Sequence, residues 1–551
     1  MTDLSLYGGR WVCLDENDEV VSVGQSPEEA RRAGRQLRPK ERLRLVWISP
    51  HPPHLALPAW PLRRIAPVLE DARVWLAGGA VRDLLLGRPV HDWDFAVAGG
   101  GRALARRVAD ALDAPYVTLD AERDTGRVVA TDPASGRPVT LDFAALRGRS
   151  LEEDLRGRDF TINALALSLS GRLIDPTGGR RDLRKRRLRA TGPQTFIDDP
   201  ARLLRAVRVA RALDFEIAPE TRKAIIRHAP RINAVAAERV QPELNRILSS
   251  EPAAEGLRLA HRLGLLVEVL PEVTALEAVE QSRPHHHAQT WEHSLAVLSA
   301  LEGLLALLRG EEERSPQVHR TVAAPDHAWR ALGESLAPLQ GRLLAYLDEP
   351  VNVELPRRLL LRWGALLHDV GKAETRTVDE EARTHFYGHP QVGEERVLAR
   401  LEALRFPTRS QRFVGTLVAH HMRPLSLAQN APPSRRAIYR FYRDTGDAGA
   451  ALALLYLADT LAIWGPQLSA ETWRESLATA EALLRTYFRR REEVVAPPPL
   501  LSGHDLLALG IPQGPVIGAL LEALREAQAA GEVGTLEEAR AFIEEERGGR
   551  A

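Results

Sequence analysis

The stretch LAGGAVRDLLLGRPVHDWDFAV, residues 76–97, brings together residue types that handle polyphosphates. Asp92 and Asp94 stand at i and i+2 in a run that reads as a strand, so both point to one face while Trp93 points back into the protein. Adjacent carboxylates repel each other, and a fold tolerates the pair when cations sit between them. Two divalent ions held by oxygen ligands are what nucleotidyl transfer requires: one activates the attacking hydroxyl and the other neutralises the leaving phosphate. Gly78 and Gly79 let backbone approach a triphosphate closely, the helix start that follows favours anions, and Arg82 and Asp83 lie on that helix. Each part alone has a plainer reading, a turn or a solvated strand edge. Their order within some twenty residues makes the combination specific.

The elements that must carry these residues form an α+β pattern. Strands are expected at VWLAGG, WDFAV, YVTLD, RVVATD and PVTLDFAAL, with helices at 80–87 and 102–112. From about residue 200 the Leu/Ala periodicity is helical, at 201–213, 220–229, 251–266, 293–308, 357–370, 391–404, 410–421, 434–443, 448–462 and 470–490. Residues 309–330 read as a polar loop. Ahead of the motif, RWVCLDENDEVVSVG alternates like a hairpin turning at Glu16-Asn17-Asp18. A short helix and a third strand, RLRLVWI, follow, and the proline-rich SPHPPHLALPAWP then serves as a linker.

The chain has 551 residues, 44% hydrophobic and 27% charged, which suits a globular protein of several domains. Lys+Arg and Asp+Glu are both 74, so the net charge is zero. The charge is uneven: residues 180–231 hold 15 Lys/Arg and 6 Asp/Glu, either a phosphate-binding track or the solvated faces of an Arg-rich sequence. The single cysteine, Cys13, excludes an internal disulfide and a Cys-based metal site and fits a reducing cytoplasm. The N-terminus shows no signal pattern, and no run is expected to approach the ~18 apolar residues of a membrane span.

On residues 76–97 the chain resembles the head of the class II tRNA nucleotidyltransferases and bacterial poly(A) polymerases, a branch of the polymerase-beta-like nucleotidyltransferases. Two further segments carry the resemblance. RGRDFTINALAL, 156–167, is similar to the family's second signature, which implies that Arg158 reaches triphosphate or ribose and that Asp159 and Asn163 order the site; Ile162, Leu165 and Leu167 are core. Taken alone, that segment is the start of an amphipathic helix. IDDPARLLRAVRVARALDF, 197–215, is similar to the third. Asp199 is a good N-cap, Pro200 a good first helical residue, and Arg202 and Arg205 follow within a turn. Cytosine and adenine each present an amine donor beside a ring-nitrogen acceptor. A carboxylate with a guanidinium, Asp199 with Arg202, would accept both and reject guanine and uracil without an RNA template. Here Asp198-Asp199 stands where the family has Glu-Asp. Asp142, in VTLDFAALRG, is either a third metal carboxylate, as the family carries, or a strand-end cap. GRRDLRKRRLR, 179–189, reads as a turn and strand that either tracks phosphates or is simply solvated. ERVQPELNRIL, 238–248, resembles the family's next helix.

The helical half holds a second pattern: His293, His368-Asp369 in LLHDVGK, His389, His420-His421 and Asp459. Neutral imidazoles with carboxylates around one or two divalent metals hydrolyse phosphate esters. The order resembles the HD phosphohydrolase superfamily. That resemblance makes His293, His368, Asp369, His389, His421 and Asp459 the metal ligands, favours His421 over His420, and brings Lys372 near phosphate. His285, His286 and His287 read as an exposed loop.

Together the resemblances imply five regions: an N-terminal module, 1–55; a nucleotidyltransferase head of mixed sheet and helices, 56–190; a helical neck and body, 191–280; an all-α HD domain, 281–465; and a helical tail, 466–551. They imply an enzyme that completes the CCA end of tRNA from CTP and ATP. Mg²⁺ would lie on Asp92 and Asp94, and an unidentified divalent transition metal or Mg²⁺ in the HD domain. The alternatives are a poly(A) polymerase, or a tRNA enzyme adding only CC or only A. The expected partners are the tRNA 3′ end and the two nucleotides, with no membrane.

Overall fold

A computed structural model describes residues 10–16, 19–48, 60–280, 289–311, 322–352, 355–381 and 383–549. Asn17 and Asp18 of the expected turn, 49–59 of the proline-rich linker, His285–His287 and 312–321 of the expected loop lie outside them. The chain forms two compact units, 1–228 and 229–551.

The first unit begins with β1 (Arg10–Leu14), β2 (Val20–Gly24), α1 (Pro27–Leu37) and β3 (Arg44–Ile48), an antiparallel sheet ordered β2-β1-β3. Ser26 caps α1 by accepting from Glu29 N–H, and Pro27 occupies its first turn.

After α2 (Leu62–Leu69) the chain enters its main sheet. The elements are β4 (Val74–Ala77), α3 (Gly79–Leu85), β5 (Asp92–Val97), α4 (Gly101–Leu112), β6 (Tyr116–Asp120), β7 (Thr125–Thr131), β8 (Pro138–Ala145), α5 (Leu151–Arg156), β9 (Ala166–Ser168) and β10 (Leu173–Ile174). The order is β10-β9-β4-β5-β8-β7-β6; only β5 and β8 run parallel. The two faces of β5 separate cleanly. Trp93, Phe95 and Val97 are buried on one face, and Phe95 stacks on Phe143 of β8 with centroids 4.6 Å apart and planes at 5°. This buried pair pins the register that sets Asp94 beside Asp142 on the opposite face. A one-residue slip would turn the carboxylates into the core.

The unit closes with α6 (Gly179–Arg184), β11 (Arg187–Leu188), α7 (Thr195–Asp198), α8 (Arg202–Leu213), β12 (Glu216–Ile217) and α9 (Pro219–His228). Two readings change here. Residues 179–184 are a helix and not a turn, because Asp175 accepts from Gly179 and Arg180 N–H and so caps the run. The second signature is no continuing helix: Thr161–Asn163 is a single 3₁₀ turn between α5 and β9, and its hydrophobic residues Ile162, Leu165 and Leu167 are fully buried.

The second unit is almost wholly helical. The expected helix 251–266 is interrupted after Arg262 by Gly264 at φ +71°, and a short helix follows at Leu266–Val269. The expected loop 309–330 ends in a helix, Asp326–Leu336, that buries Ala328, Trp329 and Leu332. Two stretches, Thr290–Leu308 and Arg435–Gln467, do reach the length and apolar composition of a membrane span, contrary to the expectation. In the most apolar 18-residue window of each, 89% and 83% of the residues are buried inside the protein, so these windows serve as core helix. The tail forms helices Gly503–Ala508, Pro515–Ala530 and Leu536–Gly549 around Leu506, Leu520, Leu524 and Ile543.

Candidate active site and metal centre

In the first unit, Asp92 and Asp94 open β5 and share a face with Thr140 and Asp142 of β8 and Arg127 of β7. Thr140 Oγ1 donates to Asp92 Oδ1 (2.6 Å). Arg127 donates twice to Asp142, Nε to Oδ1 and Nη2 to Oδ2, both 2.7 Å. Asp142 is therefore no turn cap; it sits in the carboxylate group and is held there by Arg127. Burial pushes the Asp94 carboxyl up to about 6, with Asp142 and Asp92 adding to the rise and the Arg158 charge opposing it. Three crowded carboxylates beside two guanidiniums suit oxygen-loving divalent cations.

Gly78 turns the chain from β4 into α3 at φ +72°, a conformation an L side chain rarely adopts. A Cβ there would lie 2.7 Å from Arg158 Nη1 and 3.2 Å from Asp94 Oδ2. The bare backbone of Gly78 is thus what lets Arg158 and Asp94 converge. Gly79 is less constrained: the nearest atom to its virtual Cβ is Arg82 Nη2 at 3.4 Å.

One chain of contacts ties the three signatures together. Arg82 donates to both oxygens of Asp83 (2.9 and 2.7 Å) and to Asn163 Oδ1 (2.8 Å). Asn163 Nδ2 donates to Asp159 Oδ1 (3.1 Å), and Arg205 Nη1 lies 3.6 Å from Asp159 Oδ2. Asp199 is extended and accepts from Ala201 N–H (3.2 Å), so it caps the turn that leads into α8. Arg202 Nε is 3.7 Å from Asp199 Oδ2, while its Nη groups reach the carbonyls of Gly157, Arg158 and Thr195 (3.0–3.4 Å). That grip fixes Arg202 in a buried position beside the half-buried Asp199. Sequence reasoning missed Arg127, whose signal was its place on the site face of β7. It also missed Arg88, His91 and Arg208, which with Arg82 line a cavity of about 360 Å³.

In the second unit, six side chains converge from five helices and their ends. His293 lies in Thr290–Leu308, His368 and Asp369 follow Arg357–Leu367, His389 opens His389–Ala403, His421 follows Thr408–His420, and Asp459 lies in Gly449–Trp464. Asp369 is central and only 2% exposed. Its Oδ2 is 3.2 Å from His368 Nε2 and 3.7 Å from His293 Nε2; its Oδ1 is 3.6 Å from both His389 Nε2 and His421 Nε2. Asp459 Oδ1 lies 3.0 Å from His293 Nε2. The donors form two trios sharing Asp369: with His293 and His368, and with His389 and His421. His420, half-exposed, stays outside the cluster.

The tautomers follow from the carbonyls. Nδ1 of His368, His389 and His421 each faces a backbone oxygen, of Ala365 (3.0 Å), Phe386 (2.8 Å) and Val418 (2.8 Å), and must carry a proton to do so. Nε2 is then the lone-pair atom in the neutral rings of His389 and His421, whereas His368, despite its burial, is raised by the Asp369 and Asp459 charges beside it. His389 Nε2 and His421 Nε2 face each other at 3.1 Å, a repulsive arrangement that a shared proton or a cation relieves. Burial drives His421 down to about 3 and lowers His389, so neither ring carries the extra proton near neutrality. The donor set therefore fits a divalent metal, with the backbone carbonyls of Ala365, Phe386 and Val418 orienting the rings. Burial alone would raise Asp369, but the charges of His368 and Lys372 hold it well below the usual carboxylate range. Lys372 Nζ donates to Asp369 Oδ2 (2.7 Å).

Three family models match the chain. The poly A polymerase head domain family matches residues 74–189, the probable RNA and SrmB-binding site of polymerase A matches 214–277, and the HD domain matches 332–463. The CC-adding tRNA nucleotidyltransferase of Thermus thermophilus is 39% identical over 480 residues, covering 86% of this chain and 93% of that protein. The chain belongs to the tRNA nucleotidyltransferase family. The A-adding tRNA nucleotidyltransferase of Deinococcus radiodurans is 36% identical over 479 residues, 85% of this chain and 94% of that one. A crystal structure of the Bacillus stearothermophilus CCA-adding enzyme in complex with CTP shares the fold at TM-score 0.54 and 22% identity, covering 89% and 96% of the two chains. This nucleotidyltransferase is thus an enzyme with a polymerase-beta-like head and an HD domain, and it holds candidate metal-binding groups.

Proposed function

We propose that the enzyme extends the 3′ end of tRNA from CTP and ATP without a nucleic-acid template, releasing pyrophosphate. The observation that carries this reading is the contact chain from Arg205 through Asp159 and Asn163 to Arg82, which joins α8, the proposed base-reading helix, to α3, the helix that follows the Gly78 turn beside Asp94. Asp92 and Asp94, with Asp142 beside them, would hold Mg²⁺. An ion bound there would lower the pKa of the terminal hydroxyl and offset charge on the departing pyrophosphate. Gly78, Gly79, Arg82 and Arg158 bind the triphosphate, and Asp159 and Asn163 fix Arg82 and Arg205. The Asp199 carboxylate accepts from the exocyclic amine of cytosine or adenine, and Arg202 donates to the ring nitrogen. The 3′-oxygen bonds to the α-phosphorus as the bond to the β-phosphate oxygen breaks. A tRNA substrate and the buried free Cys13 thiol both support a reducing cytoplasm as its compartment.

A second reading has specific support. The Thermus and Deinococcus relatives, which share more than nine-tenths of their length with this chain, carry the names of half-reactions, CC addition and A addition. The HD cluster would make the enzyme a phosphohydrolase as well. His293, His368, Asp369, His389, His421 and Asp459 would hold one or two divalent ions, which supply an activated water. Lys372 donates to Asp369 and would contact a phosphate held there.

Three tRNA transcripts, ending before CCA, after C and after CC, each with Mg²⁺ and single labelled nucleotides, test the proposal. Addition of C, C and A that then stops supports CCA synthesis. C addition alone, or A only onto the CC end, supports a half-reaction. Long A tails on any RNA would replace the proposal with poly(A) synthesis, and no addition would overturn it.

A further inference from the structure

The second unit holds a cavity of about 510 Å³, and none of its lining residues belongs to either candidate centre. One wall is a single face of the helix Ala237–Ser249, where Gln241, Asn245 and Ser249 stand four residues apart with Arg246 beside them. Asn352 and Arg405 line it from other elements, and Pro242, Leu355, Leu359 and Pro407 supply apolar surface. An apolar cleft of this size with a few placed polar groups is what a small-molecule site requires.

The polar groups are set to donate. The Trp363 indole, a donor only, gives its Nε1 proton to Asn245 Oδ1 (2.8 Å), which fixes that amide and leaves its Nδ2 over. Asn352 Oδ1 accepts from the buried Ser410 Oγ (2.6 Å). Neither amide nitrogen, nor the Gln241 amide, has a hydrogen-bond partner among the described residues. Arg405 is held at the cavity against the preference of its own backbone. The helix His389–Ala403 closes with Arg405 N–H donating to the Glu402 carbonyl (2.8 Å) and Phe406 N–H to that of Leu401 (2.9 Å), which puts Arg405 at φ +60°. That position favours glycine. Here it carries a cation whose side chain is 70% exposed; Glu238 Oε1, 3.9 Å away and equally exposed, is screened from it by water. Arg246 is likewise exposed, 3.6 Å from Glu243 Oε1. No carboxylate lines the cavity among the described residues, so its ligand is an anion rich in acceptors rather than a cation.

We propose that this cavity binds one nucleotide unit, its phosphate on Arg246 and Arg405 and its base along Pro242 and Pro407, accepting from the amides of Gln241, Asn245 and Asn352. Every base carries ring-nitrogen or carbonyl acceptors, and amide side chains pair with them in the plane of the ring. The unit is either an unpaired nucleotide of a bound RNA or a free mononucleotide. The RNA source rests on the tRNA reading above; the cavity itself does not.

The test uses the full-length protein with Arg405→Gly and Asn245→Asp. Arg405→Gly removes the guanidinium and gives the turn its favoured residue, so it should unfold no lower than wild type. Asn245→Asp keeps the acceptor for Trp363 and replaces the amide donor with an oxygen that repels acceptors. Affinities are measured for a tRNA transcript ending before CCA over a series of salt concentrations, and by calorimetry for CMP and ribose 5-phosphate. The difference from wild type isolates the cavity from nucleotide binding in the head. Each variant should lose roughly three- to tenfold in affinity, the worth of one hydrogen bond to a charged or acceptor group at an exposed site. Arg405→Gly should also lower the slope of log affinity against log salt for tRNA by about 0.7–0.9, the mark of one lost phosphate contact. The kcat for C addition and the KM for CTP should not change. Weakened tRNA binding with unchanged CMP binding assigns the cavity to RNA; weakened CMP binding alone assigns it to a free mononucleotide. Unchanged affinity for both in both variants would overturn the proposal, and so would a loss toward ribose 5-phosphate equal to that toward CMP, since the base would then make no contact. If wild type adds no nucleotide to tRNA while binding still depends on Arg405, the tRNA-extension reading falls and the cavity stands.

Discussion

Gly78→Ala and Gly79→Ala separate two residues that look equivalent in sequence. At Gly78 the added methyl meets two costs. The backbone sits at φ +72°, where a non-glycine residue costs on the order of 1–3 kcal/mol. The Cβ would also fall 2.7 Å from Arg158 Nη1, with Asp94 Oδ2 at 3.2 Å on the other side. Arg158 cannot simply tilt away, because its Nε lies 3.2 Å from Asp154 Oδ2; it must leave the cradle or the turn must move. Either outcome withdraws a guanidinium from the triphosphate, and losing one preorganised donor of that kind costs roughly 10²–10³ in kcat. At Gly79 the virtual Cβ meets only the far end of Arg82 at 3.4 Å, and φ is not positive. Alanine is the better helix former by about 1 kcal/mol, so that change should be close to neutral. The assay is single-nucleotide incorporation on a CC-ended or truncated tRNA, with KM for nucleotide and for tRNA measured separately. Thermal unfolding of the first unit should fall by roughly 2–12 °C for Gly78→Ala, at about 2–4 °C per kcal/mol for a unit of that size. Equal losses in the two variants, or full activity in Gly78→Ala, would refute the geometry.

Three further outcomes follow from the same structure. Asp92→Ala with Asp94→Ala should abolish nucleotide addition and leave any phosphohydrolase activity intact; surviving addition would remove the carboxylates from the metal assignment. Metal content by mass spectrometry should fall to none in the second unit of Asp369→Ala, which loses the shared carboxylate, and by one ion in His421→Ala; unchanged stoichiometry in both would refute the two-trio arrangement. Glu302→Gln should flatten a pH dependence of stability. Glu302 is fully buried and its Oε1 accepts from Ala253 N–H (2.8 Å). Burial, opposed by the Arg362 charge, raises its carboxyl from 4.5 to about 7. The folded state then binds more protons than the unfolded one between those values, so stability is complete below about 4.5 and is lost as pH rises through 7, by ~3 kcal/mol. Urea midpoints at pH 5 and pH 8 should draw together in the variant; an unaltered gap would show that Glu302 ionises without cost.

Elements with a strong period were legible. Four of the five expected strands of the head, and the hairpin at β1–β2, stand where the pattern placed them and each has a buried face; β6 also stands where expected, though none of its residues is buried. Asp199 caps the approach to α8 as its residue type implied. What escaped was set by tertiary contacts. Residues 156–167 carry a helical pattern of apolar residues, yet Asp159, Asn163 and the isolated pairing of Phe160 with Ala190 pull the chain into a single turn before β9. The run 179–184 became a helix because Asp175, outside it, supplied the cap. The ligand classes of the histidine cluster could be read in order, but which oxygen of Asp369 serves which histidines exists only in three dimensions. His420 and His421 differ by about 100° on a helix, and only packing decides between them.

The two candidate centres share one electrostatic device that the motifs do not spell out. In each, one of the crowded carboxylates has a cation of its own chain within hydrogen-bond reach: Asp142 has Arg127 in the first unit, and Asp369 has Lys372 in the second. Both lie where divalent ions would also seek the oxygens. Neither cation need leave the site on metal loading, since each carboxylate oxygen accepts more than one partner. The consequence is opposite in the two places. Arg127 is more than a third exposed and reaches Asp142 from the neighbouring strand, so its pair is solvent-screened and readily rearranged. Lys372 and Asp369 are both buried, so removing the lysine leaves Asp369 with histidines alone to offset its charge. Arg127→Ala should therefore alter nucleotide addition with little change in folding. Lys372→Ala should destabilise the second unit by a few kcal/mol unless a metal is present to replace the lost charge, and added Zn²⁺ or Mn²⁺ should restore its unfolding midpoint. A Lys372→Ala variant as stable as wild type in chelator would show that the ion pair does not neutralise Asp369.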